Sequence, residues 1–367
     1  VERSSLGDLL FPVGVTLLFL VGRDEPMLYL IGLSYMVLSD ALAAVIGRRY
    51  GRATYEVEHQ RRSVEGSVTF FVVSFLAAHL ILLLGTDVSR LGSVLVAAQL
   101  AVLVTGFEAI SLGGNDNLFV PVITCLLVMR LVDLPPEVLA RDLLAQVAIG
   151  TLVAYAVWRT RFAGTAGAIV LGIFLYGAYA LGGLVWLLAP VVVVLTYVGL
   201  RVWYWHGQQP VDRHFQVIAV SYVVGVGAAL YLAAAVLDET GVGWWGGAAL
   251  EALLLPYLGA AAGQLAILIY TLWRPWDDAG ETLDPALIPG PLAVLALVPV
   301  ALLVPGSVGE PLLWIAVTPF VTLILYRRGR RSLWWPRSPT WHSRLQATAV
   351  AGALLMVVPV YVGLFRL

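Results

Sequence analysis

Lysine is absent from this chain: all 22 of its basic residues are arginine, an absence we attribute to the base composition of the genome more than to function. Charge of either sign is scarce, at 12% of 367 residues against 60% hydrophobic. That is too little charge to clothe a soluble globule of this size, so composition places the chain in the membrane class. The net charge of −1 gives no field that would select a partner, and no nucleic-acid partner is expected. One cysteine, Cys125, lies inside an apolar run; this excludes a disulfide framework and argues against a thiolate metal site. His59, His79, His206, His214 and His342 show no metal-ligand spacing, so no zinc site is expected.

What the chain has in abundance is long apolar runs. A bilayer core takes about 20 apolar residues per helix. Runs of that kind fall at 9–22, 26–47, 68–85, 89–107, 117–132, 142–158, 164–182, 184–200, 215–237, 245–272, 287–304, 311–326 and 345–365. The expected fold is therefore all-α, a polytopic integral membrane protein of about thirteen transmembrane helices. A secretory signal peptide over residues 1–22 is not expected, since no cleavage site follows. The first residue is Val1, which leaves room for helices upstream. Numbering the loops alternately puts 17 arginines on the side of Arg3 and 5 on the other, the latter being Arg23, Arg90, Arg130, Arg141 and Arg366. The arginine-rich side is expected in the cytoplasm, as is the 48–67 loop. Trp203, Tyr204, Trp205, Trp334, Trp335 and Trp341 read as interfacial anchors, and Arg327–Arg331 as an anchor at anionic headgroups.

Most of these runs carry no ionisable residue, so the exceptions are informative, because a charge at membrane depth is costly and faces protein or water. Asp40 stands about two turns before the end of its run, on the order of 12 Å along the helix from Arg48. Asp40, Ala44 and Arg48 share a face, and small residues around a buried acid leave room for a ligand. An Asp paired by a neighbouring helix would look the same. The loop that follows reads Gly47-Arg48-Arg49-Tyr50-Gly51-Arg52, then Arg61-Arg62-Ser63-Val64-Glu65-Gly66-Ser67. Arginine forks match phosphate oxygens, and glycines allow close backbone approach. Positive-inside charge alone explains the arginines but not Glu65 or the glycine spacing. Two runs later, Glu108 and Asp116 bracket Gly113-Gly114 on the same side of the membrane. Carboxylates beside arginines suit a nucleotide carrying Mg²⁺.

These motifs resemble the CTP-dependent polyprenol kinases, the phytol, dolichol and farnesol kinases that are related to the phosphatidate cytidylyltransferases. The matching residues are Ser39-Asp40 with Gly47-Arg48-Arg49-Tyr50-Gly51-Arg52 and Arg62-Ser63-Val64-Glu65-Gly66-Ser67. Glu108-Ala109-Ile110-Ser111 with Asp116-Asn117-Leu118 and Val120-Pro121 is similar to the second motif of phytol kinases. Arg3-Ser4-Ser5-Leu6-Gly7 with Leu10-Phe11-Pro12 is similar to the segment before it. Arg62 stands where lysine is common in that family. The resemblance covers residues 3–132 and implies phosphoryl transfer from CTP to a long-chain isoprenoid alcohol such as phytol, geranylgeraniol or dolichol. It implies Asp40, Glu108 and Asp116 as catalytic acids, with Asp40 and Asp116 holding Mg²⁺ or another divalent cation. Gly47, Arg48, Arg49, Gly51, Arg52, Arg62, Ser63, Glu65, Gly66 and Asn117 would form the nucleotide site, with Glu65 positioning an arginine or the base.

Residues 1–158 are thus expected to be the catalytic membrane domain, and 159–367 a Gly/Ala-rich membrane domain. In the latter, Thr165-Ala166-Gly167-Ala168, Gly182-Gly183 with Trp186, and Arg213-His214-Phe215-Gln216-Val217 faintly resemble phytyl-phosphate kinases. Leu258-Gly259-Ala260-Ala261-Ala262-Gly263-Gln264 lacks the acidic signature of that family, and Glu251 is the one candidate buried acid. A degenerate structural half is the expected reading. Asp277, Asp278, Glu281 and Asp284 read as a solvated acidic loop. The expected partners are a nucleotide, an isoprenoid alcohol and membrane lipids; homo-oligomerisation is left open. The expected location is the plasma membrane of a prokaryote, with the site facing the cytoplasm. Two other functions remain open: a cytidylyltransferase making a CDP-activated lipid, and a non-enzymatic transporter or lipid scaffold.

Overall fold

The structure is a computed structural model that describes residues 7–58, 60–205, 216–240, 249–273, 288–330 and 339–365. It is all-α apart from one small hairpin. Each apolar run becomes a helix: α1 (Gly7–Gly22), α2 (Pro26–Ser34), α3 (Asp40–Tyr50), α4 (Val64–Gly85), α5 (Arg90–Ile110), α6 (Asp116–Val132), α7 (Pro136–Thr160) and α8 (Thr165–Gly182) come first. They are followed by α9 (Leu184–Trp205), α10 (Val217–Thr240), α11 (Ala249–Trp273), α12 (Pro289–Ala301), α13 (Gly309–Arg330) and α14 (Pro339–Phe365). Helices α2 and α3 run on through a π-helical turn, Tyr35–Ser39, into one rod. Counting that rod as one, ten helices among the described residues are long and apolar enough to cross a membrane, and α1 and α12 are shorter apolar helices. The protein is a polytopic membrane protein.

Packing divides the chain into two compact units, one of residues 1–155 with 168–173, the other of 156–167 with 174–367. In the first unit, Tyr35, Phe70, Leu82, Val96, Leu100, Val104 and Val128 form a buried core shared by the α2–α3 rod, α4, α5 and α6. Polar residues at depth find partners within it. Ser74 donates to Ser39 across 2.9 Å, and His79 meets Ser93 at 3.2 Å while stacking on Phe75. His79 is thus accounted for by packing.

In the second unit α11 is the most enclosed helix, with Leu258, Leu265, Ala266 and Ile267 fully buried. Its Gly259 and Gly263 lie against α13: a Cβ on them would meet the Thr318 and Thr322 hydroxyls at 2.8 and 2.6 Å. Small residues spaced by four let helix backbones approach where lipid supplies no hydrophobic drive, which accounts for the glycines of this segment. Glu251 is exposed. Trp341, expected at the lipid interface, is buried against His342. Arg3–Leu6, His59, His206, Arg213–Phe215, Arg274, the acidic loop 277–284, Arg331, Trp334, Trp335, Arg337 and Arg366, to which the sequence assigns roles, lie outside the described residues.

Candidate active site

The site is built where four helix ends of the first unit meet. The α2–α3 rod ends at Tyr50, and the chain makes a two-stranded antiparallel hairpin, β1 (Thr54–Val57) and β2 (Gln60–Ser63), before entering α4. Pairing of Tyr55 with Arg62 and of Glu56 with Arg61 fixes the hairpin register. Successive residues of a strand point to opposite faces, so Arg61 and Arg62 are separated by the pleat.

The start of α4 is specified by local chemistry. Ser63 is its N-cap and accepts from the Gly66 amide at 3.1 Å. Glu65, in the first helical turn, accepts from the amides of Arg52 and Ala53 at 2.9 and 3.1 Å. Its role in the structure is therefore to tie the loop after α3 to the start of α4 through backbone, where the sequence suggested an arginine side chain or the base. The glycines do a second job here. A Cβ on Gly47 would meet Ser63 Oγ at 2.7 Å and the Gly66 Cα at 3.3 Å, and one on Gly66 would lie 3.2 Å from the Ala43 carbonyl. Gly47 and Gly66 thus let α3 and the capped end of α4 touch backbone to backbone. Gly51 faces the Ser63 Cβ in the same way.

Helix α5 brings Glu108 to its last turn, and the chain returns as α6 after five residues, Ser111–Asn115. Gly113 and Gly114 have φ of +66° and +88°, a conformation that a Cβ disfavours, and it makes so tight a return feasible. Asp116 then opens α6. The result is that Asp40, Glu108 and Asp116 come together, with one oxygen of each within 4.8 Å of the others. Among the described residues this is the one such group of three. Glu108 is buried, and its Oε2 has no hydrogen-bond partner. Asp40 and Asp116 are half-buried.

Arg62 reaches into this cluster. Its Nη1 is ion-paired with Glu108 Oε1, and its Nη2 donates to the Ser111 carbonyl at 2.9 Å and lies 4.0 Å from Asp116 Oδ2. Burial works against the charge on the guanidinium, but the Glu108 carboxylate, then Asp116 and Tyr55, outweigh it and hold the Arg62 pKa above its ordinary value. Among the described residues, Arg62 is the cation ion-paired within this cluster.

A cleft of about 300 Å³ opens beside the acids. Asp40, Glu108 and Arg62 border it with Arg48, Arg61, Thr54 and Ser63, while Ala43, Ala44 and Phe70 give it an apolar floor. Arg61 donates to Thr54 Oγ1 at 3.0 Å. Of the residues expected to contact nucleotide, Gly47, Arg48, Gly51, Arg62, Ser63 and Gly66 line the cleft. Arg49 instead stacks on Tyr50, at 5.5 Å from the ring centroid, and Arg52 contributes its backbone to Glu65. Asn117 donates from its side chain to the Gly7 carbonyl at 3.2 Å, tying α6 to α1. Thr54 and Phe70 line the cleft although no sequence signal marks them, and Arg61, which the sequence offers only as part of the arginine-rich loop, lines it too.

The chain is similar to the phytol kinase of Synechocystis sp., with 36% identity over 125 residues, covering 33% of this chain and 52% of that protein. The chain thus spans about half the length of this curated relative. No family model matches the chain, and no solved structure matches it.

The donor set fits a hard divalent cation. It offers carboxylate oxygens alone, it is buried on one side and open to a cleft on the other, and one of its oxygens is buried without a partner. Asp40 and Asp116, with Glu108 beside them, are the residues that would hold Mg²⁺.

Proposed function

We propose that the protein is a nucleotide-dependent kinase that phosphorylates a long-chain isoprenoid alcohol at the membrane surface, with CTP as donor. The observation that carries this reading is the convergence of Asp40, Glu108 and Asp116 beside an arginine-bordered cleft at one end of a helical bundle. The similarity to a phytol kinase supports the same class of acceptor. Phosphoryl transfer asks a protein mainly for positioning and for neutralisation of charge, and this inventory supplies both. Arg48 and Arg61 border the cleft and would take the polyphosphate oxygens. The apolar floor of Ala43, Ala44 and Phe70 would take the first carbons of the alcohol, the rest of the chain remaining in lipid.

In the reaction the alcohol oxygen attacks the γ-phosphorus and the bond to the β,γ-bridging oxygen breaks. CDP leaves with that electron pair, and the hydroxyl proton passes to one of the three carboxylates. A bound Mg²⁺ would neutralise charge on the phosphates. The arginine asymmetry of the loops supports a cytoplasmic site, where the nucleotide is. The test is to incubate the purified protein in detergent with CTP, Mg²⁺ and phytol or geranylgeraniol. A lipid monophosphate that disappears with chelator supports the reading, and its absence with every nucleotide tried would contradict it.

A further inference from the structure

Sequence places Arg62 among phosphate ligands, yet its guanidinium is already engaged on the side of the acids. Nη1 holds Glu108 Oε1, and Nη2 is anchored on the Ser111 backbone carbonyl at 2.9 Å. The anchor spans two elements, since Arg62 belongs to β2 while Glu108 and Ser111 bracket the end of α5. One carboxylate oxygen of Glu108 is thereby fixed, and the other, Oε2, is left buried and without a partner in a group whose oxygens lie within 4.8 Å of one another.

We infer that Arg62 is a positioning residue for the metal site: its two-point hold on Glu108 and Ser111 sets the Glu108 carboxylate so that its second oxygen serves the cation shared with Asp40 and Asp116. The inference rests on the metal reading of the acid cluster. A planar fork is what permits both contacts at once, and a lysine carries the same charge without that geometry. Partners that orient metal-binding carboxylates matter nearly as much as the ligands themselves.

The sign of the effect separates this role from the alternatives. A cation that merely sits near a metal site repels the metal, so its removal tightens metal binding. A positioning residue does the opposite. The experiment is a Mn²⁺ titration of the purified full chain in detergent, with free Mn²⁺ read by its paramagnetic signal, for wild type, Arg62→Lys, Arg62→Met and the neighbouring Arg61→Met. CTP binding is measured alongside in chelator, and melting temperature reports folding. Both Arg62 variants are expected to weaken Mn²⁺ binding by about 10- to 100-fold, while Arg61→Met, which removes a nearby cation that holds none of the acids, is expected to bind Mn²⁺ more tightly, and CTP binding in chelator is expected to be unchanged by Arg62→Lys. Should Arg62→Met fail to fold, Arg62→Lys alone decides. Mn²⁺ binding that is unchanged or tighter in the folded Arg62 variants would overturn the inference and leave the metal reading standing. So would a loss of CTP binding in chelator with Mn²⁺ binding intact. A wild-type protein that binds no Mn²⁺ would overturn both.

Discussion

Asp40, Glu108 and Asp116 are three acids on three helices, brought within reach of one another, with the Arg62 guanidinium paired to Glu108. Replacing any one by its amide, as in Asp40→Asn, Glu108→Gln or Asp116→Asn, is expected to lower the rate of lipid phosphorylation by about 10²–10⁴-fold. The melting temperature should be little changed for Asp40→Asn and Asp116→Asn, whose amides are nearly isosteric, while Glu108→Gln also weakens the ion pair with Arg62 and should lower it; a rate within twofold of wild type for Asp40→Asn would remove that residue from the chemistry. The grouping of these acids was legible in the sequence: Asp40 is a rare charge inside an apolar run, Glu108 and Asp116 bracket the Gly113-Gly114 loop two runs later, and alternation of the runs assigns them to one membrane face. The partner of Arg62 was not. Arg61 and Arg62 are chemically alike, and which one meets the acids depends on the pairing of Tyr55 with Arg62 across a four-residue strand. Likewise Glu65 reads as one more acid beside arginines, and only the fold shows that it accepts from two amides twelve and thirteen residues back.

The start of α4 carries predictions of its own. Ser63→Ala removes the cap from the Gly66 amide and is expected to cost about 1 kcal/mol of stability. Gly66→Ala forces a methyl group toward Ser63 Oγ and the Ala43 carbonyl, and an over-packed contact of this kind costs about 1–3 kcal/mol. Thermal unfolding in detergent should rank Gly66→Ala below Ser63→Ala, and Ala tolerated at position 66 would show that α3 and α4 do not meet as described. Glu65→Ala should speed hydrogen exchange at the Arg52 and Ala53 amides, while Glu65→Gln, which keeps an acceptor oxygen, should do so far less. Apolar runs located the helices, but α4 begins at Val64 and not at 68, because capping by Ser63 draws Glu65 and Ser67 into the helix. The π-turn at Tyr35–Ser39 left no sequence trace. Its extra residue shifts the phase of everything after it, including Asp40, but in a run that is apolar on nearly every face a phase shift changes no hydrophobic pattern.

Across the whole molecule, composition and run length made the all-α membrane architecture readable, because a bilayer demands long apolar helices whatever their function. Orientation rests on the arginine split and is testable with the one native cysteine, Cys125, which is buried. Cysteines introduced at Thr54 or Gly113 in a Cys125→Ser background should react with an impermeant maleimide in inside-out vesicles and not in right-side-out ones; the reverse pattern would turn the site to the outer face. The second unit owes its compactness to close packing such as that of Gly259 and Gly263 on α13, a role its glycines share with many membrane helices. The central claim concerns the first unit, that a nucleotide's terminal phosphoryl group passes to an isoprenoid alcohol at the acid cluster. The most direct measurement is transfer from CTP labelled at either the γ- or the α-phosphorus to phytol, geranylgeraniol or phosphatidate. A kinase of this kind leaves γ-label in an alcohol-derived lipid, dependent on divalent cation and lost in Asp40→Asn; α-label in a CDP-lipid, or label in no lipid at all, would contradict that assignment.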